Sequence, residues 1–160
     1  MKRILFLILL GLLMNTTLAA GARFVRVEYE HSRRVQHGRI TIELGSERNE
    51  DRIFYAKLNT ADRRLDAFLP NIERVINIDK EYFDTIYNKV LDLNFKDIIK
   101  GSENRVGADG VIMSLTVGTR QNYIKTALHS PDFRPEERNT VEFCMIISEL
   151  FSLVDMEDWF

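Results

Sequence analysis

The chain has 160 residues, 22 basic side chains against 24 acidic ones, a net charge of −2 and a single cysteine. That length suits one domain with a hydrophobic core of its own. The slight acidic excess argues against a nucleic-acid partner, which needs a clustered basic surface, and one cysteine excludes an internal disulfide.

Residues 1–22, MKRILFLILLGLLMNTTLAAGA, read as a cleaved secretory signal peptide. Lys2 and Arg3 give a positive start, Ile4 to Met14 is apolar apart from Gly11, and small residues follow. Ala20-Gly21-Ala22 fits a cleavage site, with Thr17-Leu18-Ala19 as a competitor. A membrane-spanning helix needs about 20 apolar residues, and Asn15, Thr16 and Thr17 interrupt this run at about half that length. The expected product is a single domain, 23–160, exported to the periplasm or the extracellular space with no stable membrane anchor after processing. Losing Lys2 and Arg3 takes its net charge from −2 to −4.

The front of this domain reads as antiparallel strands. Val25, Val27 and Tyr29 alternate with Arg26 and Glu28; Ile40, Ile42 and Leu44 alternate with Arg39, Thr41 and Glu43. A third strand is expected over Asp51 to Leu58. The HSRRVQHGR cluster from His31 to Arg39 reads as a solvated hairpin tip. Residues 59–71 fit either a short helix, with Thr60 as N-cap, Ala61, Leu65, Phe68 and Leu69 on one side and Pro70 ending it, or an irregular loop.

Ile72 to Ile78 reads as a short strand. Asp79 is an apt N-cap for a helix from Lys80 to about Leu93, carrying Phe83, Ile86, Tyr87, Val90 and Leu93 on one stripe. FKDIIKG adds a turn that Gly101 should stop. Next comes GADGVIMSLTVGTRQNYIK, whose glycines invite a phosphate-loop reading. Such a loop needs a helix directly behind it, whereas Val111, Met113, Leu115 and Val117 follow at period two. Ile124, Thr126 and Leu128 then alternate with Tyr123, Lys125 and Ala127, so the stretch is a β-hairpin with Gly107 and Gly110 as turn residues and Asp109 bonding its own turn. A last helix, Glu136 to Asp155, should bury Phe143, Ile147, Leu150, Phe151 and Val154, with Cys144 on the buried side. Glu142, Met145, Glu149 and Ser152 make its outer stripe.

The order β-β-β-(α)-β-α-β-β-α implies the α+β class, a mostly antiparallel sheet of about six strands with two main helices packed on one face. No catalytic or metal constellation, and no cofactor site, emerges from the residues. His31 and His37 lack a third ligand. His129-Ser130-Pro131-Asp132 has triad residue types but no G-x-S-x-G elbow. Cys144 sits among apolar residues rather than beside an activating cation. The carboxylates of Glu142 and Glu149, or Asp62 and Asp66, lie on solvated faces.

The expected function is therefore a small exported non-catalytic module that binds another protein, such as an inhibitor, a toxin-immunity factor or an envelope accessory protein. Its partner-binding candidates are Phe68 and Leu69, before Pro70, and the aromatic terminus Trp159 and Phe160. The alternative is a small hydrolase or small-ligand carrier with a cleft between sheet and helices, drawing on His129, Asp109 and Tyr123.

Overall fold

The computed structural model describes residues 22–31, 38–46, 54–61, 71–102 and 110–159. Six strands form one antiparallel sheet: β1 (Arg23–His31), β2 (Arg39–Ser46), β3 (Phe54–Ala61), β4 (Glu73–Ile78), β5 (Val111–Thr119) and β6 (Tyr123–His129). Their spatial order is β4-β3-β2-β1-β5-β6. β1 to β4 are a meander of sequence neighbours. The β5–β6 hairpin then attaches to the free side of β1, with Val27 opposite Leu115. The α+β architecture expected from the sequence is the one observed.

The registers sort side chains by period two onto opposite faces. Val25, Val27, Ile42, Leu44, Leu58 and Leu115 are fully buried on the inner face. Helices α1 (Lys80–Leu91) and α3 (Val141–Leu153) cover that face through Phe83, Ile86, Val90, Phe143, Ile147, Leu150 and Phe151. Aromatic edges lock the two layers, Phe151 meeting Tyr29 at 5.6 Å and Phe83 meeting Phe54 at 5.1 Å between ring centroids. Cys144 joins this core, as its helical position predicts.

Asp79 caps α1 by accepting from the Tyr82 amide at 2.6 Å. α1 ends sooner than its apolar stripe suggests. Leu93 turns into the core, and Asn94 starts a separate helix, α2 (Phe95–Ser102), by accepting from the Asp97 amide at 3.3 Å. Gly101 does not stop this helix but lies within it. A Cβ there would fall 2.1 Å from the Arg138 carbonyl oxygen, so only glycine lets the two segments approach so closely.

Two further boundaries differ from expectation. Thr60 belongs to β3: it is buried and its hydroxyl accepts from the Ile72 amide at 2.7 Å, tying the end of β3 to the entry of β4. Residues 62–70, including Leu65, Phe68 and Leu69, lie outside the described residues, as do residues 1–21. The last helix begins at Val141 rather than Glu136 because residues 131–139 form turns around Arg138. Its guanidinium donates to the Ser130 carbonyl and, at 3.0 Å, to that of His129. Thr140, at the N-cap, gives its hydroxyl to the Pro131 carbonyl at 2.6 Å instead of capping α3. Among the described residues no helix is long and apolar enough to cross a membrane.

Candidate functional site

Two concave surfaces stand on opposite sides of the molecule. The first runs along the solvent side of the helical layer, between α1 and α3, and encloses about 620 Å³. Leu93 and Ile146, both buried, form its floor, and Met145 stands over it 66 % exposed. Asp92, Glu142 and Glu149 rim it, with Lys89 as the one cation among the described residues. Lys89 is already paired with Glu149 at 2.9 Å across the two helices, which leaves the rim acidic. Burial, and secondarily the Glu149 carboxylate, push the nearby Tyr82 phenol up to about 12. The outer stripe of Glu142, Met145, Glu149 and Ser152 foreseen on the last helix is one wall of this groove.

The second surface is the outer face of the sheet, where among the described residues no helix lies over the central strands. Polar side chains from four strands converge there. Glu43 on β2 accepts from Arg26 Nε at 2.9 Å and Nη2 at 2.5 Å, and from the Tyr55 hydroxyl at 3.2 Å. Lys125 on β6 bonds Glu28 on β1. The Arg26 guanidinium also lies 5.3 Å above the Phe24 ring. Tyr55 reaches Glu43 only because Gly45 lies beneath it. A Cβ at position 45 would fall 2.7 Å from the Tyr55 hydroxyl. These groups line a cleft of about 490 Å³, closed at one end by Arg120 and Tyr123 from the β5–β6 turn.

That turn is held by its backbone. Gly118 adopts φ +146°, the Thr119 amide donates to the Asn122 carbonyl at 2.7 Å, and the Asn122 amide donates to the Thr119 hydroxyl at 3.2 Å. Arg120, at the tip, is exposed and makes no hydrogen bond or ion pair among the described residues.

Among the described residues, those singled out for chemistry do not form one constellation. Tyr123 and His129 occupy the two ends of β6, roughly 20 Å apart at strand spacing. His129 Nδ1 is buried without a hydrogen-bond partner among the described residues, and Ser130 Oγ accepts from the Val111 amide at 3.4 Å. β5 starts directly behind Gly110, and a Cβ on Gly110 would meet Ser130 Oγ at 2.2 Å. His31 sits at the end of β1 with its ring 6.4 Å from that of Tyr29. Among the described residues no three His, Cys, Asp or Glu side chains gather as metal ligands. Asp109, Gly107, His37, Asp62 and Asp66 lie outside the described residues, as do Phe68, Leu69 and Phe160; the backbone of Trp159 ends a 3-10 turn, Glu157–Trp159.

Arg26, Glu43, Tyr55 and Arg120 were not foreseen as a group. Arg26 and Glu43 read singly as polar members of alternating strands and Tyr55 lies within the expected third strand, and only the register places them side by side. Comparison with protein-family models and with curated proteins finds no match to this chain.

Proposed function

We propose that this protein is an exported binding module, acting in the periplasm or outside the cell without catalysis, and that it receives a basic amphipathic helix of a partner protein in the groove between α1 and α3. The groove carries this reading. Two adjacent helices leave a channel that a third helix can fill by ridge-and-groove packing. The apolar floor of Leu93 and Ile146 and the projecting Met145 offer an adaptable contact. The acidic rim selects a partner bearing Lys or Arg beside its apolar stripe. Ser152, in the same groove, donates to Glu157 at 3.1 Å and ties the terminal turn to its end. Trp159 and Phe160, and Phe68 and Leu69, are further apolar anchors proposed on residue type alone.

A designed 18-residue helix of Leu and Lys, with Leu at every third and fourth position, tests this by isotope-edited NMR. It should saturably shift the amides of α1 and α3, while a Leu/Glu peptide of the same pattern should not. The double variant Asp92→Lys, Glu142→Lys should exchange that preference. Equal response to both peptides, or a basic peptide whose binding ignores the charge reversal, would remove the groove as the partner site.

A further inference from the structure

The cleft on the outer sheet face lies on the far side of the sheet from the proposed partner groove and has a separate chemistry. We infer that it is a small-molecule site, selective for an organic oxyanion, carboxylate or phosphate, carried on a flat apolar body. The argument is one of charge accounting. Both acids of the cleft are already occupied: Glu43 receives Arg26 twice and Tyr55 once, and Glu28 receives Lys125. Arg23, at the cleft mouth, is held by Asp84 at 2.6 Å. Among the described residues Arg120 is the one cation of the cleft left over, and its planar fork can present two parallel donors to two oxygens of one anion.

The rest of the cleft suits a ring. Tyr123, 59 % exposed, turns an aromatic face toward solvent beside Arg120. Phe24 and Tyr55 add two more rings, and the bonds of Tyr55 and Arg26 to Glu43 keep that wall in place before a ligand arrives. The volume, about 490 Å³, falls within the roughly 300–1,000 Å³ of small-ligand sites. The turn bonds that hold Arg120 reduce the ordering cost of binding.

Titration of the 15N-labelled protein with 2-naphthoate, its neutral isostere 2-naphthamide, phenyl phosphate and inorganic phosphate tests the site. 2-Naphthoate or phenyl phosphate should shift the amides of Arg26, Thr116, Arg120 and Tyr123 saturably, the tighter of the two naming the oxyanion. 2-Naphthamide should bind at least about tenfold more weakly than 2-naphthoate. Arg120→Gln, at an exposed turn tip that bonds nothing, should weaken the anions about tenfold and leave 2-naphthamide unchanged. Tyr123→Ala should weaken all three ring compounds. The inference fails if neither ring-bearing anion saturates, if inorganic phosphate matches phenyl phosphate, or if Arg120→Gln binds like the parent.

Discussion

The guanidinium of Arg138 donates to the main-chain carbonyl of His129 at 3.0 Å from a site where the residue is only 4 % exposed. A second bond, to the Ser130 carbonyl, makes this arginine the clamp that folds residues 131–139 back against the end of β6. Removing it leaves two carbonyls without their charged donor. Arg138→Ala should cost about 3 kcal/mol in urea unfolding, and Arg138→Lys, which lacks the planar fork, should recover only part. A loss below about 0.5 kcal/mol, the range of neutral surface changes, would show that the clamp is not needed.

Phe151 is fully buried and meets Tyr29 edge-on. Truncating such a phenylalanine costs about 3–5 kcal/mol, and a buried carboxylate costs more. Phe151→Asp should therefore abolish the cooperative thermal transition in circular dichroism. An unchanged melting temperature would mean that α3 does not seal the sheet.

Asp84 on α1 accepts from Lys80 and, at 2.6 Å, from Arg23. The Lys80 bond, followed by Arg23, holds its carboxyl below the ordinary range against the opposing effect of burial. A folded-state value lower than the unfolded one means that the contribution to stability is complete above the unfolded value. It disappears as pH falls through the folded one. Asp84→Asn should thus melt below the parent protein near pH 7, and the gap should close as pH falls below about 4. A gap that ignores pH would point to shape rather than charge at this position.

Burial first, and the Asp132 carboxylate second, push the Cys144 thiol up to about 11. Little thiolate exists at pH 8, and the sulfur lies in the core. Iodoacetamide should modify the folded protein far more slowly than the protein in urea, by mass spectrometry. Equal rates would place Cys144 at the surface.

Much of this fold is legible in short windows. The alternation of Val25, Val27 and Tyr29, the stripe of Phe83, Ile86 and Val90, and the cap at Asp79 are local patterns that burial preserves. The departures come from partners distant in the chain. Thr60 resembles a helix cap until Ile72 supplies the amide that its hydroxyl accepts, and Glu136 resembles a helix start until Arg138 reaches back to β6. The surfaces follow the same division. The stripe of Glu142, Met145 and Glu149 is visible in one helix, but its ion pair with Lys89 is not. The outer cleft is hidden because Arg26, Glu43 and Lys125 come together only through strand pairings set by the whole topology.

The strand order has a consequence during synthesis. β1 is central, yet its partner on one side belongs to the second half of the chain. As the polypeptide emerges, the first four strands can zip up among themselves while the other margin of β1 waits with its amides and carbonyls unsatisfied. Such a margin is a template for wrong pairing with neighbouring chains. The arrival of β5 closes it, and this pairing, which spans the longest sequence separation among the strand pairs, carries the largest loop-closure cost in the sheet.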